Sequence, residues 1–149
     1  DFERFPFSLP STQPARTDKS VCAIHRLTEK KGLHHLLSAA RLLAEEGVRF
    51  HIYGYGEQEE ALTARIAEEG LTNVHFHGPL HGAQAIVDTL RRHDLFAAPS
   101  VRIANGDMDG IPTSVIEAMA TGTPVITTDV ASIPDLVQDS VTGIIVPTD

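Results

Sequence analysis

The sequence predicts an α/β domain, in which a Rossmann-like parallel sheet is covered by helices on both faces. The first observation is that short apolar segments alternate along the chain with longer segments of helical periodicity. The second is that glycine or proline stands at most of the boundaries between them. The third is the composition, since 149 residues with 42% hydrophobic and 21% charged residues are enough for one globular core. Strands that alternate with helices pair in parallel, because each helix returns the chain to the end of the sheet at which the previous strand began.

The first half of the chain predicts a linker, three strands and two helices. Residues 1–20 contain three prolines among polar residues without a sustained period, which predicts an interdomain linker before a domain at 21–149. Apolar runs predict strands at 21–24, 48–53 and 74–77. Helices are predicted at 33–46 and 57–69, each followed by a glycine. Their inward positions are Leu33, Leu36, Leu37, Ala40, Leu43, Ala44, Leu62, Ile66 and Ala67.

The second half continues the alternation. A helix at 81–93 has inward positions at Ile86, Val87 and Leu90, and a strand follows at 95–98. The helix at 112–121 begins with proline and is followed by glycine, which is the usual asymmetry of helix ends. A strand at 124–128, a short helix at 133–137 and a strand at 144–146 complete the prediction.

Composition excludes several classes of protein. The net charge of −8 disfavours a general nucleic-acid-binding surface, although a few focused cations could still hold an anion. No apolar run approaches the roughly 20 residues of a membrane helix. Cys22 is the only cysteine, so a disulfide framework and a cysteine zinc site are excluded, and we expect a cytoplasmic setting. Because the chain begins at Asp1 and stops soon after an apolar run, we expect it to be part of a larger protein.

The loops after the strands are the candidate ligand sites, because ligands of parallel sheets bind at the carboxyl ends of strands. The loop after the first strand contains Arg26 and Lys31 and opens into a helix, so these cations could hold a diphosphate. A solvated basic loop paired with acidic neighbours is the alternative. The loop after the second strand contains Gly54 and Gly56, which allow close backbone approach to a ligand or form a simple tight turn.

The segment 105–121 carries the most chemistry. Its helix begins at Pro112, so the N–H groups of Thr113 and Ser114 lack helical partners and could bind a phosphate. Asp109 could accept hydrogen bonds from sugar hydroxyls. Glu117 lies among apolar residues and needs a partner, which a ribose diol or an internal Arg or Lys would supply.

These residues resemble a family pattern. Asp109-x7-Glu117, followed by the sequence of 118–125, resembles the Glu-x7-Glu signature of the group 1 (family 4) glycosyltransferases. The segment from Arg26 to Lys31 resembles that family's diphosphate-binding loop, and the match extends in order over 21–146. The resemblance implies the C-terminal, donor-binding half of a GT-B enzyme that retains anomeric configuration and uses no metal.

The resemblance also implies roles for individual residues. Arg26 and Lys31 would neutralise the leaving diphosphate, Asp109 would contact the donor sugar, and Glu117 would hold the nucleotide ribose. The other donor-binding positions would be Gly54, Gly56, Pro79, Leu80, Gly110, Ile111, Pro112, Thr113 and Ser114, with Pro79 and Leu80 near the base. Two positions depart from the family pattern: Asp109 replaces the usual Glu and is one methylene shorter, and His25 stands where Gly is common.

The predicted function is therefore donor binding in a glycosyltransferase of polysaccharide or cell-envelope glycan synthesis. The donor would be a UDP-, GDP- or ADP-sugar, and the acceptor domain would be a missing N-terminal half, so this chain alone is expected to be inactive. Any peripheral membrane association, at the inner face, would come through that half. A sugar-nucleotide epimerase and a non-catalytic nucleotide- or partner-binding module remain alternatives.

The sequence disfavours two possible metal sites. Asp107-Met108-Asp109 is a D-x-D sequence of the kind that holds a divalent ion in other glycosyltransferases, but its surroundings resemble the metal-free family. His75 and His77 lie on one face of a strand with His81 nearby, yet no cysteine or carboxylate completes a zinc site. We therefore predict no metal.

Overall fold

The computed structural model describes residues 3–7, 19–108 and 110–148. Its strands are β1 Lys19–Ile24, β2 Val48–Tyr53, β3 Val74–Phe76, β4 Leu95–Ala98, β5 Val125–Thr128 and β6 Ile144–Val146. Its α-helices are α1 Leu33–Leu42, α2 Glu59–Glu68, α3 Ala83–Arg92, α4 Thr113–Thr121 and α5 Ile133–Leu136. One turn of 3-10 helix, Glu29–Lys31, precedes α1.

All six strands form one parallel sheet in the order β3-β2-β1-β4-β5-β6. From β1 to β3 the strands are added toward one edge of the sheet. After β3 the chain returns to the other side of β1, so β4, β5 and β6 are added toward the opposite edge. Adjacent strands that diverge in this way leave a crevice at their carboxyl ends. The register places Ile24, at the end of β1, beside Tyr53, at the end of β2. The predicted Rossmann-like parallel sheet is confirmed.

The core has one layer on each face of the sheet. Alternate residues of a strand point to opposite faces, so Ala23 and Ile52 join one layer whereas Cys22 and Tyr53 join the other. The first layer is completed by α1 and α2, and the second by α3, α4 and α5. Cys22 is fully buried, and burial raises the pKa of its thiol to about 12. Its predicted place in the core is confirmed, and the thiol is chemically inert.

Several predicted element ends are wrong by a few residues. The first helix stops at Leu42, not 46, because the chain turns there toward Gly47, whose φ is +69°. Leu43 and Ala44, predicted to point inward, are therefore exposed. Ala67 is also exposed, since the buried face of α2 runs through Leu62 instead.

Helix starts and the first strand differ for local reasons. The predicted start of α3 at 81 is wrong because Gly82 has a φ of +84°, which a right-handed helix cannot contain. The helix α2 begins at Glu59, not 57, and α4 at Thr113, because Pro112 has an extended ψ of 123°. The first strand begins at Lys19, two residues before the predicted domain boundary. Most of the predicted linker, 1–2 and 8–18, lies outside the described residues.

Within the described ranges, no helix is both long enough and apolar enough to cross a bilayer.

Candidate functional site

A cleft of about 610 Å³ opens at the carboxyl ends of β1 and β2 and is bounded on one side by the first turns of α4. Eight predicted site residues line it: Arg26, Lys31, Gly54, Pro79, Leu80, Thr113, Ser114 and Glu117. Its other lining residues are Ile24, His25, Thr28, Lys30, Tyr53, Tyr55 and Ile86. Residues separated by up to 93 positions therefore meet where the strand order reverses.

Four predicted site residues that the structure describes do not line this cleft. Gly110 and Ile111 precede α4 and are exposed, and Pro112 is the buried N-cap residue of that helix. Gly56 is not among the residues that line the cleft. Asp109, predicted to contact the donor sugar, lies outside the described residues.

The basic loop after β1 is held in place by the 3-10 turn and by Gly32. The turn closes through a hydrogen bond from the Lys31 N–H to the Thr28 carbonyl, at 3.0 Å. Gly32 has a φ of +61°, and a Cβ there would lie 1.9 Å from the Pro99 carbonyl oxygen. Only glycine permits this approach, so the loop is fixed against the end of β4.

The three cations of this loop have different surroundings. Lys30 pairs with Asp107, whose carboxylate lies 3.2 Å from the ammonium, so the predicted alternative of pairing with an acidic neighbour applies to this lysine. The Arg26 guanidinium lies over the Tyr55 ring, 5.6 Å from its centroid, which is a cation–π distance. Lys31 lines the cleft. Three cations around one cleft give it a local positive charge although the whole chain is acidic.

Gly54 and Gly56 are required by contacts between the first two loops. A Cβ at Gly54 would lie 1.8 Å from the His25 carbonyl oxygen, and one at Gly56 would lie 2.5 Å from the Leu27 carbonyl oxygen. Backbone hydrogen bonds join the same loops, from the His25 N–H to Tyr53 and from the Leu27 N–H to Tyr55. Gly54 thus shapes the cleft through its neighbour, and the tight-turn interpretation accounts for Gly56.

The first turn of α4 presents backbone donors. Pro112 has no N–H, and among the described residues the N–H groups of Thr113 and Ser114 have no hydrogen-bond partner. Both residues line the cleft. Free N–H groups and the positive end of a helix dipole together favour an anion at this position.

Glu117 lies one turn further along α4 and is half-buried in the same cleft. Within the described part of the chain its carboxylate has no hydrogen bond and no ion pair. The internal Arg or Lys partner left open by the sequence is therefore not found there. Burial raises the pKa of Glu117 above its usual 4.5, because removing a carboxylate from water disfavours the charged form.

We expect Glu117→Gln to increase the free energy of unfolding at pH 7. The raised pKa means that ionised Glu117 opposes folding, and this cost develops as the pH rises above 4.5. This increase in the free energy of unfolding should vanish near pH 4, where Glu117 is largely neutral in both the folded and the unfolded state. Urea unfolding at the two pH values measures it, with exposed Glu45→Gln as the control that removes the same charge. Equal gains from both substitutions would contradict the argument.

His25 is the main cleft residue that sequence reasoning missed. It follows β1 directly and only 7% of it is exposed. Its Nε2 lies 2.9 Å from the Ala97 carbonyl oxygen and its Nδ1 lies 3.4 Å from Ser114 Oγ. The only signal in the sequence was the departure from the glycine common at this position in the family.

Thr28 is a second missed residue. Its hydroxyl is buried beside the cleft and has no hydrogen-bond partner among the described residues. A buried polar group without a partner costs free energy. A ligand with an acceptor or donor at this wall of the cleft would satisfy it.

Four histidines cluster beside the cleft at the β2–β3 edge: His51, His75, His77 and His93. His51 Nδ1 and His77 Nε2 are 2.9 Å apart, and Tyr53, which lines the cleft, stacks on His77. Burial, followed by repulsion from the other three imidazoles and Arg49, lowers the pKa of His51 to about 4. The predicted pair at 75 and 77 is thus part of a larger cluster of imidazoles.

We expect the protein to lose stability as the pH falls from 6.5 toward 4. The folded state resists protonation of His51 while the unfolded chain accepts it at its ordinary pKa of 6.5, so protonation favours unfolding. His51→Asn should reduce the loss, whereas exposed His81→Asn, outside the cluster, should not. Urea unfolding at pH 7 and pH 5 measures this. A loss as large in His51→Asn as in the wild type would be the contrary result.

No group of three or more His, Cys, Asp or Glu side chains in the described ranges could hold a metal ion. Asp107 of the D-x-D sequence pairs with Lys30, and Asp109 lies outside the described residues.

The chain is similar to known proteins in both sequence and fold. A family model described as glycosyl transferases group 1 matches residues 18–149. The chain belongs to this family. Among curated group 1 glycosyltransferases and their relatives, AmsK of Erwinia amylovora, an amylovoran biosynthesis glycosyltransferase, is 37% identical over 97% of this chain. WcaL of Escherichia coli K12, named provisionally as a colanic acid biosynthesis glycosyltransferase, is 41% identical over 99% of it.

The chain spans about a third of the length of these relatives, 36% in both cases. Solved glycosyltransferase structures share its fold. A mutant of Staphylococcus aureus TarM crystallised with UDP and other ligands has a TM-score of 0.76 and 26% identity, covering 95% of this chain and 28% of TarM. Anabaena HepE in complex with UDP-glucose has the same score and identity, covering 88% of this chain and 35% of HepE. The predicted Rossmann-like domain of the GT-B type is confirmed.

Proposed function

We propose that this domain binds the nucleotide-diphosphate sugar donor of a retaining, metal-independent glycosyltransferase, as its C-terminal half. The observation that carries the proposal is the convergence, in one cleft, of Arg26, Lys31, the N-terminus of α4 and Glu117, whose carboxylate has no partner among the described residues. Each of these groups suits one part of a nucleotide sugar. Domain organisation, retention and the site roles are predictions from the sequence resemblance.

The diphosphate would lie between the basic loop and the first turn of α4. Arg26 and Lys31 supply positive charge on one side, and the N–H groups of Thr113 and Ser114 supply donors on the other. When the bond between the sugar C1 and the diphosphate oxygen breaks, its electron pair leaves with the diphosphate. Fixed cations and backbone donors stabilise that developing charge without a metal.

The nucleoside would extend from the diphosphate past Glu117. The Glu117 carboxylate can accept hydrogen bonds from both hydroxyls of a ribose. These hydrogen bonds would satisfy Glu117, which is half-buried and has no partner among the described residues. Pro79 and Leu80 form an apolar wall nearby, suited to the base. Asp109, with the loop 110–112, is proposed to contact the sugar.

The acceptor oxygen would bond to C1 from the face that the diphosphate leaves, and its proton would pass to solvent or to the departing diphosphate. One domain supplies only one wall of such a site, so we expect no transfer by this chain alone. The relatives named for colanic acid and amylovoran biosynthesis support a polysaccharide or cell-envelope glycan product, and favour transfer over epimerisation. The buried, reduced Cys22 is compatible with the proposed cytoplasmic location.

Calorimetric titration with UDP, GDP and ADP, first without metal and then with Mg²⁺, tests the proposal. We expect one nucleotide to bind without metal and its nucleoside, which lacks the diphosphate, to bind far more weakly. Binding only with Mg²⁺ would contradict the metal-free site. Equal affinity for nucleoside and diphosphate would contradict the proposed diphosphate contacts, and failure of all three nucleotides to bind would favour a non-catalytic module.

A further inference from the structure

Two backbone hydrogen bonds hold the loops after β1 and β2 side by side. The Leu27 N–H donates to the Tyr55 carbonyl oxygen, and the Gln58 N–H donates to the Leu27 carbonyl oxygen, both at 2.9 Å. The backbone on either side of Tyr55 is also constrained, because a Cβ at Gly54 or at Gly56 would collide with the loop after β1. The main chain therefore determines which side chains of the two loops can meet.

Arg26 and Tyr55 meet across this pair of loops. The guanidinium carbon of Arg26 lies 5.6 Å from the centroid of the Tyr55 ring, within the range of a cation–π contact. Both residues line the cleft. Tyr55 is 55% exposed, so little of its ring is used for packing against the core.

This contact differs from the ion pair between Lys30 and Asp107. A carboxylate brings a negative charge beside the cation and accepts one of its hydrogens. An aromatic ring attracts a guanidinium through its π face and adds no net charge. Within the described part of the chain Arg26 has no hydrogen bond and no ion pair, so the ring holds it while its charge and its N–H donors remain for a ligand.

We propose that Tyr55 is the positioning residue of Arg26, and that its ring holds the guanidinium in the cleft where it donates to the diphosphate of the bound donor. The inference rests on the proposed function, in which Arg26 contacts the diphosphate. An arginine side chain that is held before the ligand arrives loses less conformational freedom on binding, so the affinity for the ligand rises. Tyr55 acts through Arg26 in this arrangement and not by a contact of its own with the diphosphate.

Calorimetric titration of two Tyr55 variants tests this role, with the one of UDP, GDP and ADP that the wild type binds as the probe. A cation–π contact at an exposed site corresponds to about a two- to fivefold change in an equilibrium constant. We therefore expect Tyr55→Leu to weaken binding of the nucleoside diphosphate about two- to fivefold. Tyr55→Phe keeps the ring and should bind like the wild type. Because Tyr55 is largely exposed, we expect both variants to fold, which urea unfolding verifies.

A double-mutant cycle with Arg26→Met separates positioning from direct contact with the ligand. Without Arg26 the ring has nothing to position, so adding Tyr55→Leu to Arg26→Met should cause no further loss of affinity. The matching nucleoside, which lacks the diphosphate, should bind Tyr55→Leu and the wild type equally.

Four results would overturn the inference and leave the proposed donor site standing. They are unchanged binding by Tyr55→Leu, a loss in Tyr55→Phe equal to that in Tyr55→Leu, the same loss in the Arg26→Met background, and the same loss for the nucleoside. Failure of the wild type to bind any of the three nucleotides would instead overturn the proposed function, and the inference with it.

Discussion

Replacing Lys31 with methionine is expected to weaken binding of the nucleoside diphosphate by about 10- to 100-fold. A hydrogen bond to a charged group contributes roughly 1.5–3 kcal/mol, and each 1.4 kcal/mol is about tenfold in affinity. Lys31 lies in the cleft at the start of α1, where the 3-10 turn and Gly32 hold its backbone in place. The backbone of Lys31 is therefore already positioned before a ligand binds, which lowers the entropy cost of binding.

The matched control is Lys19→Met. Lys19 is exposed at the start of β1, at the opposite end of the sheet from the cleft, and its loss changes the net charge by the same amount. Calorimetric titration of both variants at one ionic strength separates a direct contact from the general field of the protein. Similar losses in both would mean that Lys31 acts only through that field, and the proposed contact would be abandoned.

Gly54→Ala is expected to be the most destabilising single substitution near the cleft, by about 2–5 kcal/mol, since both overpacking and strained backbone contribute. Its φ is +152°, and the added Cβ would lie 1.8 Å from the His25 carbonyl oxygen. Because this neighbour is backbone, the loops after β1 and β2 would have to separate. That movement would also displace His25 and Arg26.

Gly47→Ala provides the comparison. Gly47 also has a positive φ, +69°, but a Cβ there would meet nothing within 4 Å. It therefore measures the cost of a left-handed backbone without a steric clash, about 1–2 kcal/mol. Urea unfolding of the two variants gives the additional cost at Gly54, which the loop contact and its φ of +152° share. A cost for Gly54→Ala no larger than that for Gly47→Ala would show that the loops separate easily.

The strands were predictable because short apolar runs enter a sheet that is buried on both faces. All six were found in order, and the helices between them were found by the spacing of apolar residues such as Leu37 and Leu90. The helix ends were less predictable. Leu43 fits the apolar stripe of α1, yet the chain has already turned toward Gly47, and apolar residues in exposed turns are common.

The site was predictable to the extent that it follows from topology. Parallel strands end at one edge, so Arg26, Pro79 and Glu117 could be expected to meet there, and they do. His25 could not be found in this way. Its position depends on the Ala97 carbonyl and on Ser114, 72 and 89 residues away, and periodicity contains no information on such contacts. Gly56 was predicted to allow close approach of a ligand. In the structure the Leu27 backbone, and not the cleft, occupies the space where its Cβ would lie.

The strand order also determines how the sheet ends. The outermost strands, β3 and β6, have three residues each and are the shortest of the six. An edge strand offers unpaired backbone groups to any other extended chain, and the side chains of Ile144 and Val146 on β6 are exposed and apolar. Because so short an edge offers few hydrogen bonds, a second molecule gains little by extending the sheet. The short outer strands therefore offer a smaller template for extending the sheet than the six-residue strands β1 and β2 would.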